Sequence, residues 1–192
     1  MTTVPAWYPD PTELKPAPMP LLLVQAFLNT CELDTQTDLL DDAAAAENWF
    51  VTAGLLAAGS SARRLDVARA RAVRESIRAI LASAGSEPVS QAVLDPLRNL
   101  AQTRQPRLAI DDRGRLGLEN ETRGGLADGL FELLLIIRAA QENGTWTRLK
   151  VCANPDCRWV YYDRSRNQQG HWCDMAVCGN RLKNRRLRAR RR

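Results

Sequence analysis

CANPDCRWVYYDRSRNQQGHWCDMAVCGNRLKNRRLRARRR runs from Cys152 to Arg192. Its cysteines form two C-x4-C pairs, Cys152/Cys157 and Cys173/Cys178, with fifteen residues between the pairs. Thiolate is a soft anionic ligand, and four of them close a tetrahedral zinc shell with no open position for water. Each pair fits one tight turn, and fifteen residues are enough to bring the second pair back to the first. A disulfide framework needs an oxidising compartment, and a thioredoxin-like pair needs C-x-x-C. Neither is indicated, so Cys152, Cys157, Cys173 and Cys178 are read as ligands of a structural Zn2+. His171, the only histidine in the chain, can replace a ligand, but four cysteines already fill the site. It is read as a solvated or phosphate-contacting side chain.

Asn154-Pro155-Asp156 supplies turn chemistry inside the first pair. Arg158 to Tyr162 has the β-branched and aromatic content of a short strand. Trp172 and Cys173 should end a second extended piece. Cys178 should open a helix that runs to the C-terminus, its thiolate favoured by the unpaired amides there. Knuckle, hairpin and ligand-bearing helix together suggest a treble clef.

Cys178-Gly179-Asn180-Arg181 follows Asp163-Arg164-Ser165-Arg166-Asn167 and Trp172-Cys173-Asp174-Met175, with Lys183 just beyond. On these blocks the C-terminal stretch, about residues 148–190, resembles the CGNR zinc-finger family, whose members carry an N-terminal ABATE domain. Leu23-x-x-x-Phe27-Leu28-Asn29-Thr30, then Asp38-Leu39 and Trp49, is similar to the opening of that domain. Members are described as stress-linked bacterial transcription regulators. The resemblance therefore implies DNA as partner, a treble-clef finger, and Asn29 and Thr30 as a candidate ligand pocket. Read from their own chemistry, Asn29 and Thr30 hydrogen-bond locally and end the first helix. Gln168-Gln169-Gly170-His171 stands where the family often has a basic run.

Charge is segregated along the chain. Residues 148–192 hold 13 Lys/Arg against 3 Asp/Glu, whereas residues 1–147 hold 14 against 19. An acidic body with a strongly basic end is the profile of an anion-binding tail. Arg181, Lys183, Arg185, Arg186, Arg188 and Arg190, on the expected terminal helix, are the candidate nucleic-acid contacts. Arg164 and Arg166 add to them from the loop between the cysteine pairs. Arginine forks suit phosphate and the guanine edge. RNA stays open as a partner through Trp159, Tyr161, Tyr162 and Trp172, which can stack on bases or form the finger's own core. An unknown small-molecule effector and a homodimer also stay open.

Residues 1–20 contain six prolines and read as an extended arm, pinned by Trp7 and Tyr8 or disordered. Residues 21–146 read as an ABATE-like helical domain and residues 147–192 as the finger with its basic helix. Leu21 to about Cys31 is expected to be a buried helix, with a strand as the alternative. Asp41 or Asp42 should cap the next helix, which ends near Gly54 and buries Trp49. A longer helix from Ser60 or Ser61 to Gly85 presents Val73, Ile77, Ile80, Leu81 and Ala84 on one face. Its arginines, including Arg63, Arg64, Arg69, Arg71, Arg74 and Arg78, read as a solvated side. Pro96 should kink the following helix or start a shorter one capped by Asp95. Residues 107–119 read as a β-hairpin with Gly114 at positive φ. Leu126, Leu130, Leu133, Leu134 and Ile137 mark a central core helix stopped at Asn143-Gly144.

The expected fold class is thus α+β, mostly helical: an N-terminal helical domain with one β-hairpin, plus a small C-terminal treble-clef-like zinc finger. Leu21 to Leu28 is too short to span a bilayer and lacks the flanks of an export signal. A cytoplasmic location is expected, with no membrane partner. With one histidine, no nucleophile elbow, no phosphate loop and no open metal position, no catalytic residue is assigned and the chain is read as a non-enzyme. Cys31, outside the pairs, is expected to be a small buried thiol.

Overall fold

A computed structural model describes residues 4–60, 64–83, 88–121, 124–181 and 183. Five α-helices carry the bulk of the fold: α1 (Leu21–Leu28), α2 (Ala43–Thr52), α3 (Arg64–Ser83), α4 (Gln91–Gln102) and α5 (Leu126–Glu142). Three two-stranded antiparallel ladders accompany them: β1 (Cys31–Glu32) with β2 (Thr37–Asp38), β3 (Pro106–Ile110) with β4 (Leu116–Asn120), and β5 (Leu149–Val151) with β6 (Val160–Tyr162). The predicted hairpin is β3–β4; the small β1–β2 ladder adds a second one to the helical domain. Among the described residues no helix is long and apolar enough to cross a membrane.

The helix α1 is helical rather than extended and lies at the centre, with Leu21, Leu22, Val24, Gln25, Ala26, Phe27 and Leu28 all buried. A helix apolar around its girth can only be covered on every side. It shares that centre with α5, whose Leu126, Leu130, Leu133, Ile136 and Ile137 are also buried. Asp42 caps α2 by accepting the Ala45 amide at 2.7 Å. The same helix sends Trp49 and Phe50 inward, where Trp49 lies 6.2 Å from Phe27 and 5.2 Å from Phe50, ring centre to ring centre. Asn143 caps α5 at its C-terminus and Gly144 follows at φ +76°. In the β3–β4 turn Gly114 takes φ +73°, and the Asp111 carboxylate accepts the Arg113 and Arg115 amides at 2.8 and 2.9 Å.

One glycine permits the closest backbone approach. A Cβ on Gly129 of α5 would lie 1.9 Å from the Leu55 carbonyl oxygen, on the chain leaving α2. Gly129→Ala must therefore push α5 off that chain. A loss of about 3 kcal/mol in urea unfolding is expected, at the upper end of ordinary overpacking; an unchanged midpoint would mean the approach is not tight in solution.

Several expectations are corrected. Arg74 and Arg78 of α3 do not face solvent; they are 3% and 1% exposed. Arg74 forks onto Asp38 at 2.7 and 2.6 Å and donates to Thr30 Oγ1. Burial alone would raise the Asp38 carboxyl, but hydrogen bonds from Arg74 and the Leu40 amide hold it below its usual range. Arg78 donates to the Leu28 and Arg158 carbonyls. Pro96 does not start a shorter helix capped by Asp95; it lies inside α4, which runs from Gln91 to Gln102 with Ser90 at its N-cap. Of the two predicted starts of α3, Ser60 is not helical and Ser61 lies outside the described residues, as do Arg63, Ala84 and the stop at Gly85.

The proline-rich arm is pinned. Tyr8 and Ala17 are buried, and the Trp7 carbonyl accepts from Trp49 Nε1 at 2.8 Å. Further along, the Lys15 carbonyl accepts the Tyr162 amide at 2.9 Å, so the arm runs along the outer edge of β6. Two amide side chains, Gln25 of α1 and Asn29 at its C-cap, complete that edge. Asn29 accepts the Val160 N–H at 2.9 Å and donates to the Val160 carbonyl at 2.8 Å. Gln25 also donates to the Val160 carbonyl, at 3.1 Å, and accepts the Ala17 amide at 2.6 Å. A buried strand edge needs partners for each N–H and C=O, and here α1 and the arm supply them.

Candidate metal centre

The knuckle sits at the tip of the β5–β6 hairpin. Asn154, 2% exposed, organises it: its carbonyl accepts the Cys157 and Arg158 amides at 3.0 and 3.1 Å. Its side chain accepts from Asp156 N and points Nδ2 at Cys178 Sγ, 3.8 Å away. Arg158 leaves the turn at φ +50°. The second pair arrives on a chain that runs beside the knuckle, where Ala153 N donates to the His171 carbonyl at 2.9 Å. Trp172 and Cys173 form no strand. The helical turn Met175–Gly179 starts three residues before Cys178, because Asp174 is its N-cap and accepts from Ala176 N at 2.6 Å. Cys178 is therefore within the first turn and does not open it. A Cβ on Gly179 would lie 2.4 Å from the Met175 sulfur, so a side chain there requires the exposed Met175 side chain to move aside.

The four sulfurs of Cys152, Cys157, Cys173 and Cys178 lie within 4.8 Å of one another. Cys173 Sγ is 3.7 Å from both Cys157 Sγ and Cys178 Sγ. Sulfurs about 2.3 Å from a tetrahedral zinc would be about 3.8 Å apart, whereas a disulfide needs about 2.05 Å. The cluster fits zinc and excludes a paired-disulfide arrangement. Its electrostatics ask for a cation too. Thiol hydrogen bonds from Cys157 and Cys173 pull Cys152 down to about 2. Next to that sulfur, Cys157 is pushed up to about 12 and Cys173 higher still. A divalent ion bound among these sulfurs would stabilise their thiolate forms. Cys152 and Cys178 are buried, packed with Tyr161 and flanked by Trp159 and Trp172. Cys31 stands apart in β1, half-buried. His171 is exposed and contributes no ligand atom to the cluster.

Asp163 organises the loop between the pairs, a role its motif did not disclose. It is 4% exposed and accepts from the Ser165 amide at 2.9 Å, the Gly170 amide at 2.8 Å and Lys150 Nζ at 3.1 Å. Burial opposes the charge, but these donors win and hold the carboxyl well below its ordinary value. A depressed carboxyl stabilises fully above its unfolded value of about 4, and the contribution is lost as pH falls below it. Asp163→Asn should cost about 2 kcal/mol at neutral pH and should flatten the acid limb below pH ~4. Thermal unfolding from neutral to acid pH checks this; parallel acid limbs for the two proteins would refute it.

The candidate nucleic-acid residues fall into three groups. Arg164 is anchored, donating to the Pro16 carbonyl at 2.7 Å and lying 5.6 Å from the Tyr162 ring centre. Arg181 Nη1 donates to both carboxylate oxygens of Asp34, in the β1–β2 turn, at 2.8 and 2.6 Å. Arg166 and Lys183 are exposed. Arg185, Arg186, Arg188 and Arg190 lie outside the described residues. Tyr161 and Tyr162, offered as base-stacking candidates, are 1% and 7% exposed and belong to the core. Asn29 and Thr30 border an open cavity of about 500 Å³ with Pro9, Glu32 and Thr37. Their side chains are nevertheless occupied, Asn29 by Val160 and Tyr8, Thr30 by the Phe27 carbonyl and Arg74. The charged and polar residues the sequence did not single out are Glu13 and Lys15. Trp159 Nε1 donates to Glu13 at 2.8 Å, and Lys15 Nζ donates to the Trp172 carbonyl at 2.8 Å.

Residues 148–191 match the family model described as CGNR zinc finger, and residues 22–142 match ABATE, described as "Putative stress-induced transcription regulator". The search of curated proteins returned no match.

Proposed function

The chain belongs to the ABATE family, joined here to a C-terminal CGNR zinc finger, and from that premise we propose that it is a zinc-dependent, DNA-binding transcription regulator of the cytoplasm. The observation that carries this reading is the four-sulfur cluster at the base of the CGNR turn. It fixes the start of a segment whose remaining sequence, from Arg181 onward, is dominated by arginine. A rigid base is what turns a basic run from a generic polyanion binder into a placed set of contacts. The acidic character of residues 1–147 would keep the rest of the chain off the phosphates. The helical domain would serve as sensor of a ligand linked to stress or as the dimerising half. No catalytic role is proposed, because four thiolates leave the metal no open position. Burial of Tyr161 and Tyr162 favours duplex DNA over single-stranded RNA, which needs accessible aromatic faces.

The test is a titration of zinc-loaded and chelated protein against random and genomic duplex fragments at two salt concentrations. Zinc-dependent binding that selects fragments and weakens roughly tenfold or more at the higher salt is expected. Absence of binding at low salt with zinc loaded would refute the reading. Weak, unselective binding that survives chelation would reduce the arginines to a polyanion tail.

A further inference from the structure

The β3–β4 ribbon has one face made of aliphatic side chains. Leu108 stands opposite Leu118, and Ile110 opposite Leu116. At the root of the same face Asn120 is buried and donates to the Asp128 carbonyl of α5 at 3.1 Å. Cover stops there. Leu108, Ile110 and Leu116 are 64%, 69% and 67% exposed, although they are the most hydrophobic residues of the ribbon. A two-stranded ribbon is marginal in water unless a face is packed against something.

We propose that this face is a homodimer contact, covered by the same face of a second copy. A two-fold contact must be self-complementary, and this one is: both cross-strand pairs are aliphatic and no charged group stands on the face. The charges around it balance, with Arg107, Arg113 and Arg115 against Asp111, Asp112 and Glu119. A second copy meets no net repulsion, while a nucleic acid or a strongly charged protein finds nothing to select it. The chain's own C-terminal residues 184–192 are six arginines with Asn184, Leu187 and Ala189, the wrong chemistry for an aliphatic face. Area agrees with a weak dimer. Three side chains left two-thirds open, with Leu118 beside them, offer roughly 300–400 Å² of apolar surface per copy. Two such faces with their polar margins approach ~1,200 Å², the lower end of specific interfaces. The contact is reversible and micromolar, and stands independently of DNA binding.

Sedimentation of the full, zinc-loaded chain from about 1 to about 100 µM tests it. The wild type should pass from its 21.4 kDa monomer towards twice that mass. The Ile110→Thr/Leu116→Thr double variant keeps strand propensity and a good cross-strand pair. It should fold with the wild-type circular dichroism spectrum and dissociate at least about tenfold more readily. Amide exchange in residues 106–120 should slow with concentration in the wild type and not in the variant. A wild type that stays monomeric throughout overturns the proposal. So does a variant that dimerises as well as the wild type, since the contact would then lie elsewhere.

Discussion

Removing the metal, by a strong chelator or by Cys178→Ser, is expected to unfold more than the finger. Structural zinc in small domains contributes about 10–16 kcal/mol of folding free energy, comparable to the whole stability of an ordinary domain. Here the ligand loop is continuous with the main core. Leu149, Val160 and Tyr162 pack in the same cluster as Phe27, Leu130 and Leu133. If β6 leaves, Gln25 and Asn29 lose the Val160 backbone and Lys15 loses the Tyr162 amide. Those groups sit inside a buried interface, and each one left without a partner costs about 1–3 kcal/mol. Native mass spectrometry should find one zinc per chain. Amide exchange in chelator should show protection lost in residues 148–183 and, in the same step, in α1 and residues 13–17. The melting temperature should fall by at least about 10 °C. Cys31→Ser, which touches no ligand, should leave all of this unchanged. Loss of protection confined to the finger, with α1 still protected, would show that the two parts fold independently.

What could be read from the sequence was what short range decides. Asp42 before four alanines, Gly114 between two strands and Asn143-Gly144 after an apolar run each act on neighbours within a few residues, and each holds. The cysteine spacing is of the same kind, because the geometry of a thiolate shell is independent of the fold around it. What escaped depends on partners far along the chain. Glu13 joins the finger through Trp159, and Lys15 through Trp172 and Tyr162. No local pattern marks a proline-rich arm that lies along a strand edge about 150 residues away. Asn29 ends α1 as its local chemistry predicts, but its side chain also stands in for a neighbouring strand at Val160, which no local pattern shows. The early start of the last helical turn is a local miss, since Asp174 is a good cap two residues before the amide it accepts.

Arg78→Met is expected to cost about 3–5 kcal/mol, the range for removing one member of a buried charged network. Periodicity places Arg78 one residue past Ile77, at the margin of the apolar strip of α3, and arginine there usually snorkels to water. Here it turns inward instead and is 1% exposed. Nη1 donates to the Arg158 carbonyl at 2.9 Å, Nη2 to the Leu28 carbonyl, and Nε to Glu75 at 3.1 Å. Burial presses its pKa below the ordinary arginine value, opposed mainly by the Glu75 charge. Methionine keeps the stem but leaves two buried carbonyls unanswered. Lysine keeps the charge yet lacks the planar fork that reaches both, so Arg78→Lys should recover less than half of the loss. Arg69→Met on the exposed side of the same helix should stay within about 0.5 kcal/mol of wild type. Urea unfolding of the three variants decides it, and an Arg78→Met midpoint equal to that of Arg69→Met would sink the assignment. The metal sharpens the argument. Arg158 follows the ligand Cys157 directly, so its carbonyl is presented to Arg78 only while the knuckle is closed. Measured in chelator, Arg78→Met should therefore cost clearly less than in zinc, because the partner it abandons has already gone.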